Sequence, residues 1–151
     1  LKKFASLVTI LQKKIVIEVF GDGDSDYVNE LRECAKKLDL TVNFKGNVSS
    51  LVVNTALKKC DLVVNASLLV EAAPTIGFEA AAHGKPYLYF TRSGHVYTQR
   101  FNKCWSLMLD NFGVDAAELI VEAISRNKKN ADCQKIPSRE DLIIELFSDF
   151  D

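Results

Sequence analysis

Short apolar runs rich in β-branched residues alternate along this chain with longer segments whose apolar residues recur every three or four positions. The short runs predict strands at residues 15–20, 42–44, 62–64, 87–90 and 107–109. The longer segments predict helices at residues 1–12, 27–38, 50–59, 74–83, 96–101, 115–126 and 138–149, with a polar linker at residues 127–137. Strands that alternate with helices form a parallel sheet, so the fold class is α/β, a Rossmann-like three-layer sandwich.

Local rules add three expectations about the first strand and the helix that follows it. The β-branched run that ends at Gly21 is typical of a buried strand. Ser25 or Asp26 is expected to cap the next helix, because both residue types favour the N-cap position. Tyr27 is expected to begin the inward face of that helix.

Composition limits the class of protein. The chain has 151 residues, 48% of them hydrophobic and 26% charged, which favours one globular domain over residues 1–151. A net charge of −1 argues against non-specific binding to nucleic acid. The cysteines at 34, 60, 104 and 133 form no C-x-x-C pair, which favours reduced thiols in a cytosolic protein over a metal site. Because the chain begins at Leu1 inside a helical pattern, we expect a piece of a longer protein.

Two glutamates, Glu71 and Glu79, stand with seven residues between them, around the expected start of a helix. Pro74 suits the first helical turn, whereas Gly84 and Pro86 predict its end. A helix N-terminus favours phosphate, and carboxylates beside it favour the hydroxyl groups of a ribose or a sugar. Because apolar residues surround Glu79, we expect its side chain on the inner part of the helix, with a hydrogen-bonding partner.

Four loops follow the predicted strands at their carboxyl ends, where α/β sheets bind ligands. They lie at residues 21–23, 46–48, 67–75 and 91–94. In the first loop, glycines permit either a tight turn with positive φ or close approach of a ligand to the backbone. The backbone groups of Asn47 and Val48 predict either a plain turn or a contact with the edge of a nucleobase. Arg92 is either a surface charge or a contact for a phosphate.

Four segments, taken in order, carry a family resemblance. They are residues 15–23, residues 42–49, residues 60–67, and the two glutamates followed by Ala80-x-Ala82-x-Gly84-Lys85-Pro86. Together they resemble the C-terminal, donor-binding domain of the retaining glycosyltransferases of family 4, which have the GT-B fold. The similarity covers about residues 1–126 and implies that the chain is one half of a GT-B fold.

The resemblance implies a site for a nucleotide-diphospho-sugar. Glu79 would bind the ribose hydroxyls and Glu71 would lie by the donor sugar. The start of the helix would face the diphosphate, and Asn47 and Val48 would border the base. The predicted binding residues are Gly21, Asp22, Gly23, Asn47, Val48, Ala73, Thr75, Ile76, Glu79 and Arg92, with Glu71 as the predicted catalytic residue.

The same resemblance implies the reaction and its setting. A hexosyl unit would pass with retention to a polysaccharide or glycolipid acceptor, as the site stabilises the departing nucleotide diphosphate. The donor sugar nucleotide is a co-substrate, and no cofactor or metal is expected. The missing N-terminal acceptor domain is a required partner, so this chain alone is expected to be inactive. A cytoplasmic enzyme near the inner membrane face is expected, with peripheral membrane association of the full-length protein.

Two alternatives remain. Ala72-Ala73-Pro74 stands where the family has a Gly-Phe-Gly-like stretch, and Pro74 lacks an N–H, which favours a non-catalytic, degenerate GT-B domain that serves as a binding or partner module. Gly21-Asp22-Gly23-x-x-Asp26 also resembles the metal-binding loop of haloacid dehalogenase phosphatases. That family needs an Asp-x-Asp motif on an earlier strand, and none precedes Gly21.

Overall fold

A computed structural model describes residues 15–67, 75–89, 106–108, 118, 120–122 and 124–125. The strands are β1 (Val16–Phe20), β2 (Thr41–Gly46), β3 (Val63–Asn65), β4 (Tyr87–Tyr89) and β5 (Ser106–Met108), and the helices are α1 (Ser25–Lys37), α2 (Ser50–Lys59) and α3 (Thr75–Ala82). Every strand pair is parallel, which confirms the predicted α/β class. The predicted elements at residues 1–12, 96–101 and 127–149 lie outside the described residues.

The described residues fall into two compact units. The first holds β1, α1, β2 and α2, and its sheet pairs β1 with β2. The second holds β3, α3, β4 and β5, and β4 is the middle strand of its sheet. The expectation of one domain over the whole chain stays a prediction.

Strand β1 is less buried than its composition predicts. No residue of β1 is buried, and the side chain of Val16 is 54% exposed. Exposure alternates from Val16 to Val19, and Glu18, one of the two exposed residues, forms an ion pair with Lys45 at 3.2 Å. The prediction of a buried strand was therefore wrong, since every residue of β1 is at least partly exposed to solvent.

Helix α1 begins at Ser25, two residues before the predicted segment 27–38. The side chain of Asp24 caps it, accepting hydrogen bonds from the backbone N–H groups of Asp26 at 3.0 Å and Tyr27 at 3.1 Å. The predicted caps, Ser25 and Asp26, are instead the first two helical residues. Tyr27 is 59% exposed, so its predicted inward position was also wrong, and Ala35 is the buried residue of this helix.

The core of the second unit is formed by β4, whose three residues are almost inaccessible to solvent. Tyr87 and Tyr89 lie two positions apart, on one face of the strand, with ring centroids 5.6 Å apart. Strand β4 pairs with β3 on one side and β5 on the other, so neither of its backbone edges is open.

Helix α3 packs against β3 and β4 through small residues. Gly77, Ala80 and Ala81 are its buried residues. The helix ends as predicted at Gly84, whose φ is +59°. Gly84 N–H donates to the Ala81 carbonyl at 2.9 Å and Lys85 N–H donates to the Ala80 carbonyl at 2.8 Å, the Schellman pattern of a glycine-terminated helix.

The helical residues beyond β5 match the pattern predicted for residues 115–126 in the part of that segment that the structure describes. Residues 118, 120–122 and 124–125 are helical. Ile120 is 3% exposed, as expected for an inward position, whereas Val121 is 37% exposed.

Candidate functional site

Thr75 and Glu79 share the exposed face of α3. Thr75 is the first residue of the helix, and both residues are exposed, whereas Gly77, Ala80 and Ala81 are buried. Residues four apart in a helix lie one above the other, about 6 Å apart along the axis. The helix therefore presents a hydroxyl at its N-terminal end and a carboxylate one turn further on, both accessible to a ligand.

The exposure of Glu79 corrects the expectation that it lies on the inner part of the helix. Because Ala80 and Ala81 occupy the positions that face the sheet, the helical period turns Glu79 towards solvent. A solvated carboxylate carries no desolvation penalty and needs no protein partner. The predicted distance of about one turn from the start of the helix to Glu79 is confirmed.

The start of α3 has the electrostatic character of an anion site. The first N–H groups of a helix have no partner within it and carry its positive end. The first turn of α3 contains no acidic residue that would compete for these groups. The start of α1 differs, because Asp24 accepts two of its N–H groups and Asp26 lies in its first turn.

In the first unit, the loops after β1 and β2 lie together, as their positions at two parallel strand ends predict. The N–H of Gly21 donates to the carbonyl of Gly46 at 2.9 Å. The N–H of Asn47 donates to Oδ1 of Asp22 at 3.0 Å. Gly21 has a φ of +104°, as expected for a tight turn that needs glycine, and Gly46 has a φ of +66°. Contact of either loop with a ligand stays a prediction.

Some of the remaining predicted binding residues are described by the structure, and others are not. Gly23 and Asn47 are exposed, whereas Val48 is half-buried beside the start of α2. Ile76 is half-buried in the first turn of α3. Glu71, Ala73 and Arg92 lie outside the described residues.

Sequence reasoning missed one turn at the end of a strand. The side-chain Oδ1 of Asn65, the last residue of β3, accepts a hydrogen bond from the N–H of Ser67 at 2.9 Å. An asparagine side chain that bonds the backbone two residues on shapes a tight turn. The pattern Asn65-Ala66-Ser67 directly after an apolar run is the signal that predicts it.

The surroundings of Cys60 disfavour the thiolate form that nucleophilic chemistry needs. Partial burial raises the pKa of its thiol and Asp61 adds to this rise, whereas Lys85 opposes it. A raised pKa reduces the thiolate population at neutral pH, and the thiolate is the reactive form. Cys34, on α1, is a half-buried free thiol.

The described part of the chain shows neither a metal-binding cluster nor a membrane-spanning helix. Residues 15–67, 75–89 and the later described positions contain no group of three His, Cys, Asp or Glu side chains that could hold a metal ion. Over the same positions, no helix combines the length and apolar character needed to cross a membrane.

The parallel α/β architecture is that of the GT-B glycosyltransferases, as comparison with solved structures shows. Over residues 1–126 the chain matches the family described as Glycosyl transferases group 1. The chain belongs to this family and is a glycosyltransferase domain. Comparison with functionally curated proteins found no match.

Two solved proteins illustrate the structural likeness. Anabaena Alr3699/HepE in complex with UDP is 21% identical over 95% of this chain, with a TM-score of 0.61, and its complex with UDP-glucose gives 0.59. TarM is 20% identical over 96% of the chain, with a TM-score of 0.69. The chain spans 44% of the first protein and 30% of the second, which is less than half of each.

Proposed function

We propose that this chain contributes the donor-binding half of a retaining glycosyltransferase of family 4, which transfers a hexosyl unit to a polysaccharide or glycolipid acceptor. Membership of the glycosyltransferase group 1 family supports the reaction class. The complexes of Anabaena Alr3699/HepE with UDP and UDP-glucose support a nucleotide sugar as donor. The observation that carries the proposal is the shared exposed face of Thr75 and Glu79 at the start of α3.

Each end of this face suits one part of a nucleotide. The carboxylate of Glu79 accepts hydrogen bonds, and ribose hydroxyls donate them. The N–H groups near Thr75 and Ile76 donate to the diphosphate, aided by the positive end of α3. A spacing of one helical turn lets a single ligand contact both groups.

The remaining contacts are assigned by the same proposal. In the first unit, the loop of Gly21, Asp22 and Gly23 and the backbone at Asn47 and Val48 border the donor, with the base nearest Asn47 and Val48. Ala73 and Arg92 contact the sugar diphosphate, and Glu71 lies beside the donor sugar. These residues orient the donor and exclude water from it.

Catalysis follows from charge stabilisation. As the bond from the sugar to the diphosphate breaks, negative charge grows on the leaving diphosphate and the sugar becomes oxocarbenium-like. Donors already aimed at the diphosphate lower the barrier because they stabilise that charge more in the transition state than in the ground state. Glu71 provides the negative charge beside the sugar.

The acceptor side belongs to a second domain. Because the chain spans less than half of each solved protein described above, we assign acceptor binding to an N-terminal domain outside this chain. Without that domain the chain binds donor but transfers nothing. The full-length enzyme then works in the cytoplasm, with peripheral association at the inner membrane face, where glycolipid acceptors are exposed.

A titration of the ¹⁵N-labelled chain with UDP, GDP and UDP-glucose tests donor binding. The proposal predicts amide shifts in the first turn of α3, and loss of binding in Glu79→Ala. Glu33→Ala is a matched control, because Glu33 is an exposed carboxylate on α1. Absence of shifts for all three ligands at millimolar concentration would contradict the proposal.

One observation favours a second candidate, a non-catalytic GT-B domain that serves as a binding or partner module. Pro74, directly before α3, cannot donate a backbone hydrogen bond to a sugar or phosphate. Joining the chain to its acceptor domain distinguishes the two. Donor hydrolysis or transfer by the joined protein supports the enzyme, and donor binding without either supports the binding module.

A further inference from the structure

We propose that Asp22 is a positioning residue, which holds the base-bordering loop at Asn47 and Val48 in place and does not itself bind the donor. This inference rests on the proposed function, since the loop matters to a ligand only if a nucleotide binds there. It changes the role of Asp22 from a donor contact to a clamp between two strand ends.

The clamp acts on one peptide group. The peptide that joins Gly46 to Asn47 has its carbonyl bonded to the N–H of Gly21 at 2.9 Å and its N–H bonded to Oδ1 of Asp22 at 3.0 Å. Both partners belong to the loop after β1. With both of its polar groups bonded to one loop, this peptide has a single preferred orientation.

The backbone at the end of β2 lies close to the Asp22 carboxylate. The pairing of β1 with β2 shifts register between Val19 and Phe20, so that Phe20 lies opposite Gly46. Such a shift in register changes which backbone groups meet where the two strands end. A Cβ on Gly46 would stand 3.3 Å from Oδ1 of Asp22, so the carboxylate lies close against the turn.

The clamp determines which groups a base can use. The N–H of Asn47 is occupied by Asp22, so a base bordering this loop would use the Asn47 carbonyl or the Val48 peptide. Asp24, two residues on, likewise accepts two N–H groups at the start of α1. Both carboxylates of this loop therefore accept hydrogen bonds from backbone N–H groups, and these groups are not available to a phosphate.

If Asp22 only positions the base-bordering loop, its effect on base binding can be measured separately from its effect on diphosphate binding. Loss of the Asp22 carboxylate should disturb the contact with the base and leave the contact with the diphosphate unchanged. If Asp22 only stabilised the fold, its loss would weaken the contact with the base and the contact with the diphosphate equally. Inorganic pyrophosphate reports the diphosphate contact alone, whereas UDP and GDP report it together with the base.

The test measures the affinities of the full 151-residue chain for UDP, GDP and pyrophosphate, and the hydrogen exchange of the Asn47 amide. Asp22→Ala should lower the affinity for whichever nucleotide the wild type binds more tightly by about tenfold. It should leave the affinity for pyrophosphate unchanged and speed the hydrogen exchange of the Asn47 amide. Asp22→Asn keeps an oxygen acceptor and should restore most of the affinity. Asp24→Ala is the matched control and should change stability without changing either affinity.

The outcomes separate this inference from the proposed function. Wild-type binding of nucleotide with no change in Asp22→Ala, or with equal loss for pyrophosphate, overturns the inference alone. Wild-type binding of neither UDP nor GDP overturns the proposed function and the positioning role with it. If the hydrogen exchange of the Asn47 amide is unchanged in Asp22→Ala, Asp22 does not hold this peptide in place, whatever the ligand affinities are.

Discussion

The carboxylate of Asp22 accepts a hydrogen bond from the backbone N–H of Asn47 at 3.0 Å, although the two residues are 25 positions apart. This bond joins the ends of two parallel strands at the edge of the sheet where α/β proteins bind ligands. It depends on backbone geometry that only glycine adopts readily at Gly21 and Gly46, where φ is positive.

Gly46→Ala should lower the free energy of unfolding by about 1–2 kcal/mol, because an L-residue is strained at a φ of +66°. The new methyl group would also press on Asp22 Oδ1 at 3.3 Å. Gly23→Ala is the control, since its methyl group would meet Val28 Cγ2 at an ordinary 3.6 Å. Urea unfolding followed by circular dichroism measures both variants, and equal losses would contradict the role of the positive φ.

Asp24→Ala should cost about 0.5–2 kcal/mol of stability, because it removes the N-cap of α1. Ser25→Ala should cost much less, since Ser25 is the first helical residue and not the cap. Thermal unfolding of the two variants compares them directly. A larger loss in Ser25→Ala would show that the cap lies at the position predicted from sequence.

Leu88→Ala should cost about 2–5 kcal/mol, because the side chain is 1% exposed in the middle strand of the second unit. Leu51→Ala removes the same atoms from a side chain that is 72% exposed and should change stability by less than about 0.5 kcal/mol. Denaturant unfolding distinguishes them, and a comparable loss in Leu51→Ala would mean that this surface is covered.

Cys60 should alkylate slowly at neutral pH, with a midpoint above the ordinary thiol pKa of 9.0, because burial raises the pKa of its thiol. Since its pKa is higher folded than unfolded, the folded chain keeps the proton in the interval between the two values. The free energy of unfolding should therefore fall as pH rises through that interval.

Iodoacetamide labelling followed by peptide mapping measures the reactivity of Cys60 from neutral to alkaline pH. Cys60→Ala should remove its part of the alkaline loss of stability. Fast labelling of Cys60 at neutral pH would contradict the predicted direction of the shift.

Sequence patterns predicted the elements well where one local rule governs them. The apolar runs predicted the described strands to within about two residues, and Gly84 correctly marked the end of α3. These features depend on periodicity and on the positive φ of glycine, both of which are visible in the sequence.

The predictions from sequence were wrong where neighbouring residues suited the same structural position equally well. Asp24, Ser25 and Asp26 are all good N-caps, and only the hydrogen bonds of the folded loop select Asp24. The orientation of Glu79 depends on helical phase, which Ala80 and Ala81 fix by packing on the sheet.

The contact of Asp22 with Asn47 could not be predicted from sequence, because it depends on the register shift between β1 and β2. A pairing offset of one residue changes which backbone groups meet at the strand ends. Local propensity contains no information about such an offset.

The central claim is that Glu79, exposed on α3, binds the ribose of a nucleotide-sugar donor. Calorimetric titration of wild type and Glu79→Ala with UDP and with 2′,3′-dideoxy-UDP tests it most directly. Removing the ribose hydroxyls should weaken binding to the wild type by about tenfold or more and should have little effect on the variant. An equal loss in both proteins would show that the hydroxyls bind elsewhere and that Glu79 does not bind the ribose.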